Sequence, residues 1–161
     1  MSESLITKDG FERLSDELEQ LKSRGRLLVA DRLRQAAASD ANWAENADYA
    51  DARQEQVGLE RRIASLEQRL HSARIVEPCL GNGRVDVGER VRVRDLSSDQ
   101  PLEVELVGPL EADLAAGRVS VASPLGQALV GLHDGEIADV DAPRGRLRYE
   151  VLAIELPGRA A

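Results

Sequence analysis

The chain has 161 residues, of which 31% are charged and only 2% aromatic, so its core must be built from aliphatic side chains. The formal net charge of −8 excludes a general affinity for phosphate backbones, because proteins that bind nucleic acid regardless of sequence present a basic surface. We therefore expect no direct DNA binding. The single cysteine is typical of a reducing compartment, and no leader or membrane-spanning apolar run is visible. These features predict a cytoplasmic protein without a membrane partner.

Residues 8 to 39 have the periodicity of one helix, with Thr7 as its N-cap. Apolar residues recur there in steps of three and four, at Phe11, Leu14, Leu18 and Leu21. The register slips near Gly25, where we expect a local bend because glycine is unfavourable inside a helix. Beyond it the sequence predicts that the apolar stripe continues at Leu28, Val29, Leu33 and Ala36.

Residues 46 to 74 predict a second helix, whose one polar seam residue, Gln56, is of the kind that fixes register. Its seam alternates steps of three and four through Tyr49, Ala52, Gln56, Leu59, Ile63, Leu66, Leu70 and Ala73. Two long helices with apolar seams and a short connection predict an antiparallel coiled-coil hairpin over residues 1–76, with its tip at about 39–46. Each arm of ~30 residues would be ~45 Å long at 1.5 Å per residue.

The pattern changes after the second helix. Residues 77–83 contain proline and two glycines and are typical of a linker. Residues 84–161 predict a small sheet domain, so the fold class is α+β. Short runs of alternating character separated by turn residues predict strands at 85–87, 90–94, 102–106, 119–121 and 146–156, and residues 124–131 predict one or two helical turns packed on them. No zinc-ligand spacing, phosphate loop or self-contained active site is visible.

Four blocks in the same order resemble one known family. Glu45-Asn46-Ala47-Asp48-Tyr49, followed by ADARQEQ, resembles the hairpin tip and second arm of the Gre-type transcript cleavage and elongation factors. The segment ITKDGFERLSDELEQLKS resembles the start of their first helix. NGRVDVGERVRV and SPLGQALVGLHDGEIADVDAPRGRLRYEVLAIE resemble their C-terminal domain. The resemblance therefore spans nearly the whole chain.

The resemblance implies a particular mode of action. Gre factors place a globular, FKBP-like sheet domain at the rim of the secondary channel of bacterial RNA polymerase, and their coiled coil reaches down that channel. In cleavage-competent members an Asp and a Glu at the tip help to hold a second Mg²⁺ at the polymerase active centre, where paired metals stabilise the entering and leaving oxygens. The partner implied here is bacterial RNA polymerase, with indirect contact to the RNA 3′ end.

The tip departs from that pattern in its acids. Glu45 matches the family's Glu, but the position of the Asp falls on Asn42, or on Ala41 if it is counted from the first helix. An asparagine offers a neutral oxygen, so the loss of a negative charge should weaken capture of the second Mg²⁺. Asp40 restores the site only if the longer loop bends it inward; otherwise it is an acid facing solvent. Glu45 and Asp40 are thus the two candidate metal ligands, and both would be weak ones.

Other tip residues have two readings each. Trp43 either packs against the end of the hairpin or acts as a bulky plug near the polymerase active centre. Asn46 and Asp48 belong to the tip motif and could take part in its chemistry. Alternatively, Asn46 caps the second helix and Asp48 closes the loop. Arg53 matches a basic residue that approaches the RNA end in the family. A second such position falls in the run Ala36 to Ala38, so the basic patch is reduced.

In the C-terminal domain, Ser123, Pro124 and Leu125 match the family's contact with the polymerase rim. Pro124 suits the first turn of a helix, where no amide donor is lost, and Ser123 suits its N-cap. The preceding residue is Ala122, where some relatives have a polar or acidic residue, and this removes one polar contact.

Three functions follow as hypotheses. The first is a regulator that occupies the secondary channel and inhibits or modulates RNA synthesis without stimulating cleavage. The second is a cleavage factor that rescues backtracked polymerase through Glu45 and Asp40, sharing Mg²⁺ with the polymerase. The third is a generic coiled-coil interaction protein. None requires a cofactor of its own or makes the chain an enzyme.

Overall fold

The computed structural model describes residues 4–39, 47–77, 82–143 and 145–155, and it confirms the predicted α+β class. The first half holds strand β1 (Ser4–Thr7), helix α1 (Lys8–Gln20), a π-helical turn (Leu21–Gly25), helix α2 (Arg26–Ser39), helix α3 (Ala47–His71) and strand β2 (Ala73–Val76). The second half holds β3 (Arg90–Asp95), β4 (Gln100–Val107), a 3₁₀ turn (Leu114–Ala116), β5 (Arg118–Ser120), α4 (Pro124–Leu129), β6 (Ile137–Ala142) and β7 (Gly145–Glu155).

The contacts divide the chain into two compact units at positions that differ from the predicted boundaries. Phe11–Ser72 forms one unit, the helical hairpin. Met1–Gly10 and Ala73–Ala161 together form the other, the sheet unit. The first ten residues and those after α3 therefore belong with the sheet, whereas the sequence assigned residues 1–76 to the hairpin.

The predicted hairpin is confirmed, and three of the ion pairs between its described arms, those of Lys22, Arg26 and Arg32, follow an antiparallel order. Its buried seam consists of Val29, Ala36, Ala52, Ile63 and Leu66. Four salt bridges join the arms at 2.5 to 2.8 Å, Glu17–Arg62, Lys22–Glu67, Arg26–Glu60 and Arg32–Glu55. The Arg26 guanidinium, hydrogen-bonded to Glu60, lowers the pKa of that carboxyl. These exposed pairs contribute little stability, but they favour this register over alternatives.

A π-helical turn occupies the place where the sequence predicted a bend. Each such turn accommodates one extra residue, which rotates everything after it by about 100° around the helix axis. Gly25 lies at its end, where an added Cβ would be 3.2 Å from Cδ1 of Leu59 on the other arm. The prediction that Leu28 continues the seam is wrong, because the rotation leaves Leu28 66% exposed and brings Val29 into the seam at 7%.

The first helix begins at Lys8, as predicted, whereas the end of the second helix differs from the prediction. The second helix ends at His71 and not at residue 74, so Ala73 lies in a strand and not in the helical seam. Strand β2 pairs in parallel with β1, in the register Ser4 with Ala73 through Thr7 with Val76. Two strands of four residues are too short to show a periodic signal, and only their pairing across the whole hairpin defines them.

The larger sheet has five strands in the order β5-β4-β3-β7-β6, with β4 and β5 parallel and the other pairs antiparallel. Its core is aliphatic, as the composition required, and comprises Val85, Val91, Val93, Val104, Leu106, Val119, Leu129, Ala138 and Val151. The predicted strand at 85–87 is wrong: Val85 is buried by exchanging backbone hydrogen bonds with Gly131 and Leu132 after α4. The sequence also missed β6.

A buried carboxylate from the sheet unit completes the start of α1. Thr7 is the N-cap, as predicted, since its Oγ1 accepts from the Gly10 amide at 3.1 Å. Glu111 accepts from the Thr7 amide at 2.7 Å, from the Thr7 hydroxyl at 2.5 Å and from the Gly108 amide at 3.2 Å. In a capping box the residue three after the cap supplies this carboxylate. Here that residue is Gly10, and a Cβ on it would lie 1.7 Å from Oε1 of Glu111.

Candidate functional site

The predicted tip falls mainly outside the described residues. Asp40, Asn42, Trp43, Glu45 and Asn46 all lie in the segment 40–46. The predictions that Glu45 and Asp40 act as metal ligands, that Trp43 acts as a plug and that Asn46 caps α3 therefore stay predictions. Asp48 and Arg53 are the two predicted tip-proximal residues whose positions are described.

Asp48 and Arg53 both lie on the exposed surface of α3. Asp48 is in the first turn of the helix, where the helix dipole favours an acid. Arg53 donates from Nη1 to Oε1 of Gln56 at 2.8 Å, one turn along the same helix. This hydrogen bond is exposed to solvent, and the prediction that Arg53 approaches RNA stays a prediction. Asp48 also borders a shallow depression between the arms, together with Arg32, Gln35, Ala36 and Asp51.

Ser123 begins α4 and holds it to the end of β5. Its Oγ accepts from the Gly126 amide at 3.1 Å, which is the predicted N-cap bond, and donates to the Ser120 carbonyl at 2.6 Å. Pro124 occupies the first helical turn and is exposed. Leu125 instead packs against the core of the sheet. Of the three predicted contact residues, Pro124 thus faces outward, Ser123 is half-buried, and Leu125 supports the helix from below.

The close packing of α4 against the end of β5 depends on Gly126. A Cβ at this position would lie 2.1 Å from the Ser120 carbonyl oxygen and 2.8 Å from Cα of Val121, both backbone atoms of the preceding segment. Leu129, one turn further, is fully buried in the core. The helix therefore presents Pro124 on a rigid support, which is what a preformed contact surface needs.

Replacing Ser123 with alanine is expected to lower the free energy of unfolding by about 1.5 kcal/mol, since the change removes both the cap and the hydrogen bond to Ser120. Ser123→Thr keeps the hydroxyl and serves as the matched control, with a change below about 0.5 kcal/mol. Urea unfolding followed by far-ultraviolet circular dichroism measures both. Equal stability of the two variants would show that the Ser123 hydroxyl does not hold the helix.

Titratable groups of the described ranges do not assemble into a metal centre. Within residues 4–39, 47–77, 82–143 and 145–155, no three His, Cys, Asp or Glu side chains come together in a way that would hold an ion. Burial raises the pKa of Glu89, which accepts a hydrogen bond from the Asp86 amide at 2.9 Å. None of the described helices is long and apolar enough to cross a membrane.

Sequence reasoning missed the residues that fix these surfaces in place. Glu111, Gly108 and Gly126 act through close backbone approaches and buried hydrogen bonds to distant residues, and such contacts have no local pattern. The exposed pair Leu27 and Leu28, 67% and 66% accessible, was also missed. The register slip at Gly25 was the sequence feature that could have indicated this exposure, and the π-helical turn explains the slip.

Comparison with known proteins identifies both units. Residues 4–75 match the family described as transcription elongation factor, N-terminal, and residues 80–156 match the family described as transcription elongation factor, GreA/GreB, C-term. The chain is 39% identical over 157 residues to transcription elongation factor GreA of Ralstonia nicotianae, covering 96% of this chain and 99% of that protein. It is 43% identical over 150 residues to GreA of Syntrophobacter fumaroxidans, covering 92% and 96%.

Among solved structures, the chain is similar to GreA factor homolog 1 (Gfh1) of Thermus thermophilus, with 34% identity, 95% and 99% coverage and a TM-score of 0.42. It is also similar to Gfh1 of Thermus aquaticus, with 32% identity, 96% and 99% coverage and a TM-score of 0.44. The two family matches together define a transcription elongation factor. The chain belongs to the GreA/GreB family.

Proposed function

We propose that this chain binds bacterial RNA polymerase at the secondary channel and modulates RNA synthesis without stimulating transcript cleavage. Membership of the GreA/GreB family supports the partner. The tip sequence supports the absence of cleavage, because the resemblance places the family's aspartate at Asn42, or at Ala41 by the other count, and neither is an acid. With Glu45 as the one matching acid, the tip lacks the second negative charge that a divalent ion favours. The chain acts in the cytoplasm, where its partner is.

The sheet unit supplies the contact with the channel rim in this proposal. Pro124 is exposed on a short helix that Ser123, Leu125 and Gly126 hold tightly to the sheet. A rigid, exposed apolar residue loses little conformational freedom on binding, so it suits the centre of a small protein contact. We infer a protein partner for this surface, because the net charge of −8 is unfavourable for nucleic acid.

The hairpin supplies the part that enters the channel. Four cations on its sides are paired with acids of the opposite arm, so these four are engaged within the hairpin and not free for RNA. Arg53 is the basic residue placed to approach the RNA 3′ end, and that contact is indirect in the sense that the polymerase holds the RNA. The chain carries no cofactor or active site of its own in this proposal, and the only Mg²⁺ involved belongs to the polymerase.

A cleavage factor is the second candidate, and the presence of a further acid, Asp40, in the tip sequence favours it. If Asp40 turns inward beside Glu45, the tip again offers two carboxylates, and the polymerase gains the second Mg²⁺ that cleavage requires. The name of these relatives, transcription elongation factor GreA, is compatible with either candidate.

A stalled, backtracked elongation complex separates the two candidates. With the wild-type protein and Mg²⁺ we expect no shortening of the RNA, and at limiting nucleotide we expect slower run-off synthesis. Asn42→Asp should gain cleavage by at least about tenfold, because it restores a carboxylate worth several kcal/mol beside a divalent ion. Rapid shortening by the wild type that Asp40→Ala or Glu45→Ala abolishes would contradict the proposal and establish the cleavage factor.

Binding itself is tested by retention of the protein on immobilised core polymerase. Pro124→Ala is expected to weaken retention while leaving the helix content unchanged, since Pro124 is exposed and the cap is on Ser123. A wild-type protein that is not retained would overturn the proposal and leave the generic coiled-coil hypothesis standing.

A further inference from the structure

One side of the helical hairpin has an apolar opening between the arms. It is lined by Leu21, Gly25, Leu28 and Val29 of the first arm and by Gly58 and Leu59 of the second, and these six residues are called the apolar window. Glu55 and Arg62 border it one helical turn away in either direction along α3. Each of them is engaged across the arms, Glu55 with Arg32 at 2.7 Å and Arg62 with Glu17 at 2.5 Å.

Leu28 and Gly58 leave this opening unfilled. Leu28 is 66% exposed although it lies beside the seam, because the π-helical turn rotates it outward. A Cβ added at Gly58 would meet no atom within 4 Å. Gly10, Gly108 and Gly126 differ, since a Cβ at each would lie 1.7 to 2.1 Å from another atom. A glycine inside a helix lowers its stability, and packing within the hairpin gives no reason for Gly58.

The chemistry of the window selects its occupant. The charges at its two ends are paired within the chain, so it offers neither a free cation for phosphate nor a free anion for a basic segment. The six residues of the window include no aromatic ring on which a base would stack. Their surface is aliphatic, and its matching partner is an uncharged apolar side chain presented by another protein.

We propose that the apolar window seats an apolar side chain of the RNA polymerase channel wall, and thereby fixes how the hairpin is rotated about its axis when bound. The inference rests on the proposed function. It adds a contact midway along the hairpin, separate from the tip and from the rim surface around Pro124. Gly58 leaves room for the incoming side chain, and Leu28 packs beside it.

The test measures affinity for core polymerase by competition with a labelled wild-type protein. Leu28→Gln removes the apolar contact, and Gly58→Gln fills the opening with a good helix former. Each is expected to weaken binding by about tenfold, as loss of a buried apolar anchor does. Gly58→Gln should at the same time raise the thermal midpoint of unfolding, because glutamine favours the helix, so its weaker binding would not reflect unfolding.

Leu27→Gln is the matched control, since Leu27 is 67% exposed on the next position but does not line the window. Its affinity is expected to stay within about twofold of wild type. Wild-type affinity for both Leu28→Gln and Gly58→Gln would overturn this inference alone, and failure of the wild type to bind polymerase would overturn it together with the proposed function. A wild-type dimer that Leu28→Gln converts to a monomer would show that a second copy occupies the window and would also overturn it.

Discussion

Replacing Glu111 with alanine is expected to lower the free energy of unfolding of the sheet unit by about 3 kcal/mol. The change removes the carboxylate that accepts from the Thr7 amide, the Thr7 hydroxyl and the Gly108 amide, and Glu111 is only 5% exposed. Each buried donor left without an acceptor costs roughly 1–3 kcal/mol. Urea unfolding measures the total, and amide hydrogen exchange of residues 4–10 measures the local effect, which should be a loss of protection.

Glu103→Ala is the control for the loss of a glutamate in the same sheet unit. Glu103 is exposed and pairs with Arg92 at 3.3 Å, so its removal is expected to change stability by less than about 0.5 kcal/mol. Glu111→Gln should be intermediate, since an amide oxygen still accepts from backbone donors while the amide nitrogen does not. If Glu111→Ala behaved like Glu103→Ala, with unchanged exchange in residues 4–10, the carboxylate would not hold the start of α1.

Replacing Gly126 with alanine is expected to lower the stability of the sheet unit by about 2–3 kcal/mol and to weaken retention on core polymerase by at least about tenfold. The added Cβ would lie 2.1 Å from the Ser120 carbonyl oxygen and 2.8 Å from Cα of Val121, and these backbone atoms cannot move aside as the end of a flexible side chain could. The helix must therefore move away from β5, which displaces Pro124 and the buried Leu129 together.

Gln127→Ala provides the comparison for Gly126, because Gln127 is the next residue of the same helix and is exposed. Its stability and retention are expected to match wild type. A Gly126→Ala protein that is destabilised yet retained normally on polymerase would separate the two effects, and it would show that the position of α4 does not matter for binding.

The two predictions concern the starts of two helices that the sheet unit holds, and they share one cause. At both sites a segment approaches backbone so closely that only glycine fits, at Gly108 beneath the Leu5 carbonyl and at Gly126 beneath that of Ser120. In each case a polar side chain, Glu111 or Ser123, satisfies the donors at the start of a helix. A closely packed glycine and a polar side chain that accepts from backbone amides therefore hold both α1 and α4 in the sheet unit.

The sequence by itself determined the helical hairpin, the aliphatic sheet and the N-caps Thr7 and Ser123. These features have local signals. The helices show apolar periodicity over some 30 residues, and the caps lie next to a proline or an acid, so each signal is contained in one short segment. Family membership could also be predicted from the sequence, because the segments that resemble the family, such as residues 45–49, are contiguous. The prediction that the family's tip aspartate is replaced here, at Asn42 or Ala41, likewise rests on residue identity and needs no coordinates.

Only the tertiary structure decided the rest. Strands β1 and β2 exist because residues 4–7 and 73–76 meet across the whole hairpin, and Glu111 reaches Thr7 from 104 residues away. The exposure of Leu28 follows from one extra residue in a π-helical turn, which shifts the seam to Val29. Strand pairing and register depend on which segments pack together. The burial of apolar side chains in the whole unit determines this packing, and no local sequence pattern does.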